Sequence, residues 1–152
     1  MRPTASADRL HNIDELGGFN FAFVSVDKGH ARKTIAHGLQ RLGVHFIDTG
    51  IGVAREGNSL DGVARATYVS PEMPWETVTK LLPFGDDQDG DGHEDNDVYK
   101  AAIQTVDLNA LNALLAVTHW KRLMGFYRDQ RRNIQSAYMV EGNMLANRQG
   151  AA

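Results

Sequence analysis

The chain has no cysteine. That absence removes a disulfide framework, a thiolate zinc site and a catalytic thiol, and it is compatible with a reducing interior, so the cytoplasm is the expected compartment. Positive charge is also short: 16 lysines and arginines stand against 19 aspartates and glutamates, a formal net charge of -3. Nucleic acids and anionic lipids recruit proteins through concentrated positive charge that displaces counterions, so neither is an expected partner. No apolar run approaches the roughly 20 residues that a membrane-spanning helix requires, and residues 1–8 hold no apolar core of signal-peptide length, so no membrane role is expected. What is present, 42% hydrophobic and 23% charged residues in 152, is the composition of one ordinary globular domain with a single core.

After a polar lead-in (1–11) and a short helical turn at 12–16 closed by Gly17 and Gly18, the apolar run Phe21-Ala22-Phe23-Val24-Ser25-Val26 ends abruptly in Asp27. Lys28, Gly29 and His30 then open a helix whose stripe is expected through Ala31, Ile35, Gly38, Leu39 and Leu42, with Gly43 as its left-handed stop. A second apolar run closes at Asp48-Thr49-Gly50. Strand, helix, strand is the expected order. Buried parallel strands read as continuous apolar runs, and ligands of open α/β sheets collect at the carboxyl ends of such strands, where Asp27 falls. Residues 51–54 and 62–69 flank Gly57-Asn58 and carry β-branched residues, the signature of an antiparallel hairpin, which makes the sheet mixed. Pro71, Pro74 and Pro83 and an acidic stretch at 86–97 make 71–97 a long loop. Residues 108–117 are apolar nearly all round and run into His119-Trp120-Lys121-Arg122 before Gly125, so a buried helix is expected there, followed by a last strand near 137–141.

Asp27 admits two readings. It caps the helix that follows by accepting hydrogen bonds from free backbone N–H groups, or it holds a divalent cation that neutralises phosphate oxygens, with Lys28 and Arg32 adding positive charge to the same crevice. Asp87-Gln88-Asp89-Gly90-Asp91-Gly92 matches the first half of a calcium-binding loop, but the twelfth position is Val98 where a bidentate glutamate is required. Gly50-Ile51-Gly52 lacks the third glycine of a dinucleotide turn, which disfavours a nicotinamide or flavin oxidoreductase. No two histidines share the three- or four-residue spacing of helical metal ligands. Lys121, Arg122, Arg128, Arg131 and Arg132 form a basic patch with Tyr127 interleaved, too small to indicate nucleic-acid binding.

The order of Val24-Ser25-Val26-Asp27, Arg32, Phe46-Ile47-Asp48-Thr49-Gly50, Ile103-Gln104, Leu108-Asn109-Ala110-Leu111-Asn112 and Trp120-Lys121 resembles the ThiF-type adenylyltransferases, bacterial relatives of the ubiquitin-activating enzymes. The resemblance covers roughly 13–148. It implies a Rossmann-like α/β fold with a mixed sheet, and ATP-dependent activation of the C-terminal carboxylate of a ubiquitin-like or small sulfur-carrier protein as an acyl-adenylate. It further implies ATP and magnesium as cofactors, Asp27 as the catalytic residue that contacts magnesium, and Ser25, Val26, Lys28, Ala31 and Arg32 as the nucleotide-binding residues. Relatives commonly carry Asp-Asn where this chain has Asp27-Lys28. The family's glycine-rich first turn, ribose-binding acid and phosphate-holding Arg and Lys have no counterpart here. Its zinc and thioester cysteines are also missing, so adenylation without thioester transfer is the implied chemistry. The resemblance is therefore to the C-terminal half of the domain, an incomplete nucleotide-binding unit expected to be inactive alone and to work as a homodimer or with a complementing N-terminal half. The alternative is a non-catalytic interaction or dimerisation subunit that keeps the fold. In either case the strand at 21–26 is expected to lie open along one side or to pair with another chain.

Overall fold

The computed structural model describes residues 10–85 and 105–150. A 3-10 turn at Leu10–Gly18 leads into strand β1 (Phe21–Ser25), helix α1 (Gly29–Arg41) and strand β2 (His45–Glu56). Strand β3 (Ser59–Val69), helices α2 (Trp75–Leu81) and α3 (Val106–Leu123), and strands β4 (Asn133–Met139) and β5 (Met144–Gln149) follow. The strands make one open sheet in the order β1-β2-β3-β4-β5, with β1 and β2 parallel and every other pair antiparallel. This is an incomplete Rossmann-like α/β fold with a mixed sheet. No helix among the described residues is long and apolar enough to cross a membrane.

Alternation along β2 sorts the core into two layers. Phe46 points with Val24 and Val69 into a cluster closed by Ala36 and Leu39 of α1 and Val78 of α2. Ile47 points the other way, joining Ala66 under Ala116, Leu115 and Trp120 of α3. Asp48, two residues after Phe46, therefore belongs to the α1 and α2 face, where an apolar residue would be the simple expectation.

Several features depart from the pattern read in the sequence. The buried side of α1 runs through Arg32, Ala36, Gly38 and Leu39, so the stripe is rotated toward a charged residue that has a buried partner. The second strand and the first hairpin arm are one continuous β2, because Gly50 and Gly52 lie in extended backbone and interrupt nothing. Part of the 71–97 loop is α2: Pro74 takes the N-cap position, where proline's missing N–H removes no helical hydrogen bond, and Glu76 pairs with Lys80 one turn on at 2.6 Å. The acidic stretch at 86–97, including the calcium-like loop, lies outside the described residues. Finally, α3 is buried on one side only, at Leu108, Asn112, Ala116 and His119, while Leu114 and Val117 are 64% and 43% exposed. The sheet covers one face, and no described element covers the other. The last strand also begins earlier than expected, and β5 adds a fifth.

β1 is an edge strand, hydrogen-bonded only to β2 among the described residues. Phe23 on it is half exposed and meets Phe21 edge-on at 5.4 Å. Among the described residues the outer edge of this strand is open, one of the two outcomes expected for 21–26.

The start of α1 is fixed by a close approach. A Cβ on Gly29 would lie 2.0 Å from the carbonyl oxygen of Phe84, so the chain leaving α2 rests directly on the first turn of α1. Gly29→Ala is expected to destabilise the domain by about 3 kcal/mol, since backbone must move to admit the methyl group. Urea unfolding should show this as a lowered midpoint at unchanged slope.

Candidate functional site

β1 stops at Ser25, opposite Thr49, while β2 and β3 run on together to the turn at Gly57. The sheet therefore has a step at the carboxyl end of its parallel pair. Above the step lies an open cleft of about 600 Å³. Ser25, Val26 and Asp27 form one wall, Thr49, Gly50, Ile51 and Gly52 the floor with Val63 and Arg65, and Asn109 and Asn112 of α3 overhang it. Arg32 and Pro83 close the side toward α1. Ser25, Val26, Asp27 and Arg32 thus share one cavity, whereas Lys28 and Ala31 are not among its lining residues.

Asp27 does not cap α1. The N-cap position is Lys28, without a side-chain capping bond. The Asp27 carboxylate is exposed at the cleft, and no described residue pairs with it. Of its two readings, the capping one is set aside.

Arg32 differs from its expected role as a free charge. It is only 6% exposed, and each of its nitrogens is engaged. Nε donates to Asp48 Oδ1 at 2.9 Å, Nη1 to the Pro83 carbonyl at 3.2 Å, and Nη2 to the Val26 carbonyl. Val26 immediately precedes Asp27, so Arg32 fixes the turn that presents the carboxylate. The other oxygen of Asp48 accepts from Arg65 Nη2 at 2.7 Å. Asp48 itself is wholly buried. Burial pushes its carboxyl above the ordinary range, and the charges and hydrogen bonds of Arg32 and Arg65 pull it back. Burial likewise pulls Arg65 below the usual guanidinium range, with Asp48 opposing. One buried acid thus holds two arginines, from α1 and β3, and the second positive charge of the cluster shares the cleft with the Asp27 carboxylate.

The second anchor is Asn112. With its amide oriented to satisfy both ends, it accepts from the Gly50 N–H at 3.1 Å and donates to the Arg65 carbonyl at 2.8 Å, which ties α3 to both strands of the floor. α3 approaches this closely because Gly62 has no side chain: a Cβ there would lie 2.5 Å from Leu108 Cδ1. Asp48, Arg65 and Asn112 were not singled out as site residues. The signal available was polarity at inward positions: Asp48 two residues from Phe46, Arg65 in an alternating strand, Asn112 one turn from Leu108.

Away from the cleft, the loop that carries the basic patch beyond α3 is braced by its own polar groups. Asp129 Oδ1 accepts from the backbone N–H groups of Arg131 and Arg132 at 3.2 and 2.9 Å, and the Gln130 amide oxygen accepts from Arg128. Nearby, His119 is 1% exposed, and neither ring nitrogen has a partner in hydrogen-bond geometry among the described residues. Burial lowers its pKa below 6.5, with the Asn133 backbone opposing. A depressed folded-state value means that its contribution to stability is present above the unfolded pKa of about 6.5 and is lost as pH falls through the folded value. His119→Leu is expected to gain about 1 kcal/mol at pH 8, where no unpaired polar nitrogen then remains buried. The same substitution should flatten the fall in melting temperature as pH drops below about 6.5, where the wild-type imidazole takes up its proton on unfolding; calorimetric scans across pH check both effects.

No family model matches the chain, and no curated protein matches it. Among solved structures, the crystal structure of selenomethionine PaaA aligns with 97% of this chain and 47% of its own, at a TM-score of 0.50 and 11% identity. At that identity the likeness is one of fold alone. The chain spans about half the length of PaaA.

Proposed function

We propose that this chain supplies the magnesium-nucleotide wall of an adenylyltransferase that activates the C-terminal carboxylate of a small carrier protein. The observation that carries the proposal is Asp27, a carboxylate without a described partner, set at the carboxyl end of a parallel strand and facing a cleft with a cationic floor. The ThiF-type resemblance of the surrounding residues points the same way.

Magnesium fits what the chain offers. Among the described residues no group of three or more His, Cys, Asp or Glu side chains converges, so no all-protein cage is present. Magnesium in nucleotide sites keeps several waters and takes one or two carboxylates plus phosphate oxygens, which a single exposed aspartate satisfies. Asp27 would hold the ion, whose contribution is to neutralise phosphate charge. The chain's own residues then align and shield: Ser25 and Val26 border the nucleotide, Arg32 holds the turn, and Asn112 fixes the floor. In the reaction the carrier carboxylate oxygen forms a bond to the α-phosphorus of ATP while the bond to the β-phosphate oxygen breaks, releasing pyrophosphate. Attack of one anion on another depends on charge neutralisation and alignment more than on covalent help.

The test is pyrophosphate exchange into ATP by the protein purified from its native source. Exchange is expected only with a carrier whose C-terminus is free, and an amidated carrier should give none. A second reading, an interaction subunit without chemistry, is favoured by one observation, the open edge of β1 with Phe23 exposed. It requires a stable complex with a partner and no nucleotide binding.

A further inference from the structure

The two arginines on Asp48 are unequally employed. All three nitrogens of Arg32 are committed, two of them to backbone carbonyls that shape the cleft wall. Arg65 donates well only through Nη2 to Asp48; Nη1 reaches the Leu81 carbonyl at 3.5 Å, the outer limit for a hydrogen bond, and the buried Nε has no partner among the described residues. The Asp48 carboxylate offsets one of the two positive charges, and the other negative group described at the cleft, Asp27, is the one proposed to take a cation. The floor beside Arg65 is kept bare by Gly50, where a Cβ would stand 3.1 Å from Arg65 Nη2 and 3.7 Å from Arg32 Nη2. An under-bonded guanidinium with surplus charge at a polar cleft is a receptor for an oxyanion, because charge-assisted bonds from arginine to phosphate or carboxylate are the strong ones.

We infer that Arg65 is the anion-binding residue of the cleft, receiving a ligand's phosphate or carboxylate oxygens over Gly50, while Arg32 is a positioning residue. The inference deepens the proposed function by naming the group that meets the ligand's negative end, and it rests on that reading only for the identity of the ligand. Arg65 was not among the residues indicated by the family resemblance.

The experiment separates the two claims by leaving magnesium out. Inorganic triphosphate, and separately a short peptide ending in a free carboxylate, are titrated calorimetrically into the full protein in magnesium-free buffer. At least one is expected to bind, and Arg65→Gln should weaken that binding tenfold or more, with Arg65→Lys intermediate because it keeps the charge but not the fork. Gly50→Ala, whose methyl group would crowd Arg65 Nη2 at 3.1 Å, should weaken it as well, and urea unfolding of each variant separates a loss of binding from a loss of fold. Triphosphate binding identifies the phosphate as the oxyanion, and peptide binding that disappears on C-terminal amidation identifies the carboxylate. Absence of binding by both probes, or binding unchanged in Arg65→Gln and Gly50→Ala, overturns the inference. Magnesium-free binding with no magnesium-dependent ATP binding would leave it standing and remove the nucleotide reading instead.

Discussion

Replacing Asp48 by alanine is expected to destabilise the domain by about 3–5 kcal/mol, the usual consequence of leaving a buried charge without its partner. Here two charges are stranded. Arg32 and Arg65 converge on opposite oxygens of the same carboxylate, at 2.9 and 2.7 Å, so its removal leaves two guanidiniums facing one another at the side of the core. Since whole domains are stable by only about 5–15 kcal/mol, most of the margin goes. Urea unfolding at neutral pH reads the loss directly. The control is the triple change Asp48→Leu, Arg32→Met and Arg65→Met, which replaces the cluster by apolar side chains and should recover most of the stability. Recovery would show that the cluster is retained for the cleft rather than for the fold; a triple variant as unstable as Asp48→Ala would show that packing around Asp48 dominates.

The second large effect is on chemistry. Asp27→Ala removes an exposed carboxylate that pairs with no described residue, so thermal stability should stay within about 0.5 kcal/mol of wild type, as for ordinary surface changes. Pyrophosphate exchange, by contrast, is expected to fall about 10²-fold or more, the scale seen when one preorganised group facing developing charge is lost. The combination is diagnostic. An unchanged fold with lost exchange assigns Asp27 to the reaction, whereas exchange that survives the substitution removes Asp27 from the mechanism.

Much of this arrangement is legible in the chain itself, because strand ends and helix stops leave local marks. The apolar run ending at Asp27, the glycine at 43 with its φ of 71° and the hairpin turn at Gly57 are each set by residues a few positions apart. The floor of the cleft is not local. Arg32, Asp48 and Arg65 lie 16 and 17 residues apart and meet only once β1, α1, β2 and β3 have packed, and nothing in the spacing announces that meeting. Arg32 shows the difficulty: its sequence position beside Asp27 fits a free cation in the crevice, but the buried acid opposite turns it into a brace. Gly50 and Gly52 mislead in the other direction, reading as punctuation where one of them serves to keep a guanidinium uncovered. The helix at 75–81 was hidden by prolines that stand before its first turn rather than within it.

The most direct measurement is calorimetric titration of ATP into the protein purified from its native source, with and without magnesium, alongside Asp27→Ala. The expected result is binding that requires magnesium and weakens at least tenfold, about 1.4 kcal/mol, in the variant. Binding indifferent to both magnesium and Asp27, or no binding at all, would contradict the assignment of this cleft to a magnesium nucleotide.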